Sequence, residues 1–575
     1  MQPSRCTRTV SWGTGLRFLA LLLSLVVLLG ITACGGGGGS STGTITAVTI
    51  SCTPTSVQSG QTSQCTATVT GTGAFINTVT WAASAGAIDT TGLFTAQAVT
   101  ASTAVTITAI SNQDTSKNAT ATITVTPVTS IAVTCTPTVI QSLQTSQCNA
   151  TANGVPTTTV NWTSSIGVVS LSGLFTAPTV PTSTQVTVTA TTQVTNVPGS
   201  ATVTVNVNNS TTLAVDGGPT GVSYPNGAYV TAKVCVPGTT TCTAIDHVLV
   251  DTGSVGFRVL SSALGSLALT PQNASDGNPM AECYVAPTGY AWGPVALAQV
   301  QVTGEIASSI PIEVIAPSNF AAAPASCTGQ TTGSALSTVS ALKAKGILGI
   351  GFWPQDCGST CASAQQNTYF SCPLAGCMPL PAAIAQQVSN PVAAFPNDNN
   401  GTEIQLPPIV AGGAPTAQGT LIFGIGTQSN NGLAAAAIYA VSTSGQNPGS
   451  FVATYNSTAY SGTVSSGADA NYFLTSAITG YPPCTNLGYY CPGTQQTANV
   501  GIAGVNAQTG TVTLTIDNAA SLFSTGYFAF SSLGGPGGNR TSGFLFGVPF
   551  FYGRNVFTAL SGATTPGGTG PYIAY

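Results

Sequence analysis

The sequence predicts an all-β protein: two small tandem β-sandwiches followed by a larger β region. Three observations carry this. Charged residues make up only 4% of the chain while Thr, Val, Ser and Gly abound, a composition suited to short strands and turns. A stretch of about 80 residues occurs twice, and each copy ends in an alternating apolar-polar segment. No long amphipathic helix is evident, and residues 382–388 are the best place for a short one.

The repeat is read directly. Ser51-Cys52-Thr53-Pro54-Thr55 returns as Thr134-Cys135-Thr136-Pro137-Thr138, and Gln61-Thr62-Ser63-Gln64-Cys65 as Gln144-Thr145-Ser146-Gln147-Cys148. Trp81 is matched by Trp162, and Gly92-Leu93-Phe94-Thr95-Ala96 by Gly173-Leu174-Phe175-Thr176-Ala177. Alternation in Ala104-Val105-Thr106-Ile107-Thr108 and in Gln185-Val186-Thr187-Val188-Thr189 predicts strands with one buried and one wet face. Short strands around one tryptophan and one cysteine pair predict a sandwich for residues 45–127 and another for 128–208. Both copies resemble bacterial Ig-like domains. With no aromatic cluster on their loops, they read as spacers rather than binding modules. The polar stretch Val207-Asn208-Asn209-Ser210 marks a boundary near 208–212.

The N-terminus reads as a targeting segment, residues 1–33. Arg5, Arg8 and Arg17 precede an uncharged, mostly apolar run over 18–33, shorter than the roughly 20 residues of a membrane span. Ile31-Thr32-Ala33-Cys34 resembles a bacterial lipobox, which implies cleavage before Cys34 and a diacylglycerol on its sulfur. Membrane attachment through lipidated Cys34 is therefore expected. Gly35 after the cysteine favours the outer membrane, and residues 34–44 read as a flexible tether. The alternative is an ordinary secretory leader.

The cysteines fit an oxidising compartment. Spacing suggests Cys52 with Cys65, Cys135 with Cys148, Cys235 with Cys242, and Cys484 with Cys491. It leaves open how Cys283, Cys327, Cys357, Cys361, Cys372 and Cys377 pair. His247 is the single histidine and no two Cys-x-x-Cys units occur, so no metal site and no cofactor is expected. A net charge of −4 gives no electrostatic footprint for nucleic acid.

The chemistry centres on Asp251-Thr252-Gly253-Ser254 at the end of an apolar strand that begins near Ile245. A carboxylate on a tight loop, with a glycine that lets backbone approach closely, is how an aspartic peptidase presents half of its catalytic pair. Further landmarks follow in order: Gly346-Ile347-Leu348-Gly349-Ile350-Gly351-Phe352; Asn390-Pro391-Val392 with Phe395; Gly419-Thr420-Leu421-Ile422-Phe423-Gly424; and Phe544-Leu545-Phe546-Gly547-Val548-Pro549-Phe550-Phe551. Together they make residues 212–575 resemble a pepsin-like aspartic peptidase. The closing run through Tyr552-Gly553-Arg554 also resembles an uncharacterised bacterial secreted lipoprotein family of this plan. The resemblance implies a bilobal β fold, with lobes over 212–428 and 429–575. It also implies a flap tyrosine, with Tyr290 in Gly289-Tyr290-Ala291-Trp292-Gly293 the first candidate and Tyr284 the other. Thr252, Gly253, Ser254, Tyr284, Tyr290, Trp292, Ser466 and Gly467 are the candidate binding residues.

The second acid is missing from its expected place. The matching segment is Thr463-Val464-Ser465-Ser466-Gly467-Ala468-Asp469, with Ser465 where the acid belongs. Asp469 is four residues late, and Asp517 lies only 30 residues before Gly547. Peptide hydrolysis by this chemistry needs two carboxyls that share a proton, one holding water as base and one donating to the carbonyl. Serine can hold water but cannot replace that acid. The structural alternative for Asp251 is a loop acid bonded to backbone amides. His247, four residues before Asp251, is not placed for a triad. Gly534-Gly535-Pro536-Gly537-Gly538 reads as a loop, since no Lys or helix follows to cradle phosphate. Tyr489, Tyr490, Trp292 and Trp353 read as core packing before groove lining.

The expectation is a surface lipoprotein whose peptidase-like domain is inactive and binds an extended peptide or glycan. The rivals are an active aspartic peptidase that uses Asp469 and a structural or adhesion protein with an unused cleft.

Overall fold

The computed structural model describes residues 43–575 apart from 194, 446 and 539–542. The leader, Cys34 and nearly all of the tether lie outside the described residues. The chain divides between Pro127 and Val128 into two compact units, and the described part is essentially all-β.

In the first unit, Thr44–Thr53, Thr62–Thr72, Leu93–Thr95 and Ala87–Ile88 form one sheet, and Ser56–Gln58, Asn118–Thr126, Thr103–Ser111 and Val79–Ala83 another. The inward residues of both enclose one core of Cys52, Cys65, Phe94, Val105, Ile107, Ile123 and Val125. The repeated glycine has a steric cause. Gly92 has φ +81°, and a Cβ there would stand 2.4 Å from the Cys65 carbonyl and 2.9 Å from the Trp81 ring. Gly173 stands in the same relation to Cys148 and Trp162, at 2.2 and 3.0 Å. Each repeat needs a residue without a side chain behind its tryptophan.

The second unit begins with the second repeat, in which Cys135, Cys148, Phe175, Val186, Val188, Val203 and Val205 share a core. Cys52–Cys65 and Cys135–Cys148 are disulfides, as are Cys235–Cys242 and Cys484–Cys491. The six cysteines whose partners spacing left open pair as Cys283–Cys327, Cys357–Cys361 and Cys372–Cys377.

From Ser210 onward the chain builds the same strand arrangement twice. Cys242–Asp251 runs parallel to Gly346–Ile350, with Val248 opposite Gly346 and Asp251 opposite Gly349. Val255–Leu260 lies antiparallel on the other side of Gly346–Ile350. Later, Thr458–Val464 runs parallel to Phe544–Phe546, with Asn471–Phe473 antiparallel on its far side. In both, two strands joined by a short loop are split by a strand returning from far along the chain. The sheet of the first arrangement continues into the second half in the order Ser210–Asp216, Ala417–Phe423, Gly401–Leu406, Arg554–Ala559, Tyr572–Ala574, Ile438–Ala440.

Three expectations are corrected. Residues 382–388 hold only a 3-10 turn, Ile384–Gln386. There the Gln387 side-chain amide takes the Ala382 carbonyl, a group a helix would bond through its backbone, and ties the segment to Gly358 by donating to its carbonyl and accepting from its N–H. Gly534–Gly535 is not a loop: it pairs in parallel with Asn471–Phe473, and a Cβ on Gly535 would stand 2.7 Å from the Gly488 carbonyl. The closing strand of the second half stops at Phe546, and Val548–Phe551 forms a helical turn opened by Pro549.

Candidate functional site

The two short loops of the duplicated arrangement meet. Asp251 ends the first strand and Ser465 follows the second, its N–H bonded to the Phe546 carbonyl at 2.9 Å. Ser465 Oγ donates to Asp251 Oδ1 at 2.7 Å, and Gly253 N donates to the same oxygen at 2.8 Å. The next residues exchange bonds: Thr252 N donates to Ser466 Oγ at 3.1 Å, and Ser466 N to Thr252 Oγ1 at 3.0 Å. Ser466 Oγ also donates to the Val250 carbonyl at 2.7 Å. The glycines make this approach possible. A Cβ on Gly253 would stand 2.5 Å from Ser465 Oγ, and one on Gly467 would stand 2.4 Å from Asp251 Cγ. Ser254 is buried, and its hydroxyl interacts with the Tyr284 phenol.

Asp469 does not join Asp251. It is buried, and its carboxylate accepts from Tyr472 Oη at 2.7 Å and from Tyr489 Oη. Asp517 is held by Gln495 Nε2, 3.1 Å from each carboxylate oxygen. Both late acids are engaged by partners other than Asp251.

The hairpin Met280–Ala286 and Gly289–Val302 carries both flap candidates, and its register separates them. Tyr284 stands opposite Ala291, whereas Tyr290 is opposite Val285 and Trp292 opposite Cys283. Cross-strand pairs share a face and alternate pairs change face. Tyr284 is therefore on one side, and Tyr290 with Trp292 on the other. Burial pushes the Tyr284 phenol up to about 12, and the negative charge of Asp251 adds to the shift. Tyr290 and Trp292 instead line a separate cavity of about 210 Å³ with Phe320, and Trp292 Nε1 donates to the Ala321 carbonyl at 2.8 Å. Of the two flap candidates, Tyr284 is the one whose phenol feels the Asp251 charge, and Tyr290 is on the opposite face of the hairpin. Tyr490 is fully buried, as core packing predicts.

Behind Tyr284 lies a charge cluster that no local pattern announced. The Arg258 guanidinium sits 3.9 Å from the Tyr284 ring centroid. It bonds both oxygens of Glu282, reaches Asp356 at 3.2 Å and stands 3.4 Å from Glu313. Arg258, Glu282 and Glu313 are fully buried. One cation cannot balance three carboxylates in that setting, so burial and the neighbouring Glu282 hold Glu313 and Asp356 well above the usual carboxylate range. The available signal was the rarity of charge itself: Arg258 follows the Asp251 loop by four residues in a chain that is 4% charged. His247 has φ +52° and contacts Asp246 at 2.6 Å, away from any triad.

Two pseudo-equivalent strand-loop units clasped through Thr252 and Ser466, with a tyrosine-bearing hairpin beside Asp251, define an aspartic-protease-like fold for the C-terminal region. Its acid position is filled on one side and replaced by serine on the other. Residues 205–575 match the family described as protein of unknown function (DUF3443), and the chain belongs to that family. None of the curated proteins compared with it matches. Among solved structures, an aspartic proteinase from Irpex lacteus is similar at 15% identity over 64% of this chain and 96% of that chain, with a TM-score of 0.36.

Proposed function

We propose that the C-terminal domain binds an extended peptide without cleaving it. The observation that carries this reading is the 2.7 Å bond from Ser465 Oγ to Asp251 Oδ1, a hydroxyl in the place where peptide hydrolysis needs a proton-donating carboxyl. A serine there fixes Asp251 as an acceptor and supplies no acid to the scissile carbonyl. The surroundings favour a ligand: the Tyr284 phenol feels the Asp251 charge and interacts with the Ser254 hydroxyl, so polar groups converge at the two loops. An extended peptide suits such a cleft better than a glycan, because neither Tyr290 nor Trp292 shares the Tyr284 face to stack on a sugar ring.

The wider reading is a surface protein anchored through lipidated Cys34, with the two repeats as spacers. The lipobox-like Ile31-Thr32-Ala33-Cys34 supports the anchor. The test is a peptide library incubated with the full chain from acid to neutral pH, with binding and cleavage read separately. Binding without cleavage is expected, and Tyr284→Ala should weaken it about tenfold, the loss of roughly one buried aromatic contact. Cleavage abolished by Asp251→Ala, or binding indifferent to Tyr284→Ala, overturns the reading.

A further inference from the structure

A second cavity, of about 270 Å³, lies among residues that play no part at Asp251. Asp517 and Arg554 both line it. They are not paired with each other, and the ion pairs among the described residues involve other groups. Among the described residues, the Asp517 carboxylate accepts only from the neutral Gln495 amide. Arg554 donates from Nη1 to the Phe550 carbonyl at 2.6 Å and lies over the Phe550 ring at 4.8 Å, and its other N–H groups donate to no described residue. Burial pushes the guanidinium below its ordinary value. A half-buried cation without a counterion is unfavourable, and a ligand carboxylate would relieve it.

One wall of the cavity has a distinctive form. Thr513, Leu514 and Thr515 are consecutive, and all three line the cavity. Side chains on one face of a strand recur every second residue, so three in a row mean that the strand presents its edge. Thr509–Ile516 is the outermost strand of its seven-stranded sheet. An edge offers backbone donors and acceptors to an added chain. The volume is below the usual range of about 300–1,000 Å³ for drug-sized ligands, so the occupant is small.

We propose that this cavity binds a short free peptide of about two or three residues, laid along the strand edge with its ammonium on Asp517 and its carboxylate on Arg554. A dianion or a dication would oppose one of the two charges. A neutral sugar would leave both charges uncompensated. A zwitterion satisfies both.

The test is calorimetric titration of the full chain with trialanine, N-acetyl-trialanine and trialanine amide. Trialanine should bind, and blocking either end should weaken binding at least about tenfold, the worth of one charge-assisted hydrogen bond. Asp517→Asn should abolish discrimination against the acetylated probe and keep that against the amide. Arg554→Gln should do the reverse, and Arg554→Lys, which keeps the charge, should retain a weaker preference for the free carboxylate. Asp89→Asn, on an exposed loop of the first repeat, should leave trialanine binding unchanged. Equal binding of the three probes, no binding at about 10 mM trialanine, or loss of binding in Asp89→Asn overturns the proposal.

Discussion

Thr252 and Ser466 each donate a backbone N–H to the other's side-chain hydroxyl, at 3.1 and 3.0 Å. This exchange is close to two-fold symmetric, yet the residues just before them are not: Asp251 faces Ser465 at 2.7 Å. The clasp that joins the two loops is intact, and serine stands where the pseudo-symmetry would place a second acid. Ser465→Asp should complete the pair. Two carboxyls at that distance repel, so one takes a raised pKa and the pair is monoprotonated over an acidic window. The expected outcome is peptide cleavage at acid pH in the variant, none in the wild type, and loss of the gained activity on adding Asp251→Ala. Pepstatin-like inhibitors should bind the variant better than the wild type. Wild-type cleavage that depends on Asp251 and Asp469 would refute the assignment.

The clasp also makes a stability prediction. Ser466→Ala removes the hydroxyl that accepts from Thr252 N and donates to the Val250 carbonyl, and all three residues are buried. Leaving a buried amide unsatisfied costs about 1–3 kcal/mol. A fall in the denaturation midpoint of that size is expected, with Ser466→Thr restoring most of it. Equal stability of wild type and Ser466→Ala would mean that the exchange contributes nothing net.

The sequence disclosed those parts of the site that are local. Asp251 announced itself by its strand and glycine, and Ser465 followed from the spacing to the closing strand. Four disulfides were visible because each pair stands apart from other cysteines, whereas Cys357–Cys361 and Cys372–Cys377, though closer still in sequence, lie in a run of six cysteines that allows many pairings. What stayed hidden depends on register or on long-range contacts. Tyr284 and Tyr290 are separated only by which residues face across the hairpin, and one step of register reverses the answer. Arg258 meets Glu282, Glu313 and Asp356 from four distant segments. Asp469 looked free until Tyr472 and Tyr489 were placed on it.

Each repeat closes a loop between cysteines 13 residues apart. Opening such a loop by Cys52→Ala with Cys65→Ala should lower the stability of the first unit by about 3 kcal/mol on the chain-entropy estimate. Both sulfurs sit in the core, so lost packing adds to the effect. Denaturant unfolding of the double variant checks this. A midpoint within error of the wild type would remove the disulfide as a stabilising element.

Anchoring is tested at Cys34. Without acyl chains on that sulfur, the mature chain would have no apolar anchor there. Cys34→Ala should move the protein from the detergent phase to the aqueous phase. Unchanged partitioning would rule out the lipobox reading.

Glu305 makes a prediction about pH dependence. Glu305 is almost fully buried beside Asp398, whose carboxylate accepts from Thr427 Oγ1 and from Gln428 Nε2 at 2.6 Å. Burial first, and the Asp398 charge second, push the Glu305 carboxyl up to about 9. Below the unfolded value of about 4.5, both states hold the proton and the contribution is full. Between about 4.5 and 9 the folded state binds more protons than the unfolded one, so stability falls as pH rises. Glu305→Gln keeps the shape and cannot ionise. It should flatten the decline between pH 5 and 9 and leave the variant more stable than the wild type at pH 8, by denaturant midpoints measured across that range. Glu313 and Asp356 titrate in the same sense, so only the difference between variant and wild type isolates Glu305. Parallel pH profiles for the two proteins would show that Glu305 is not held protonated.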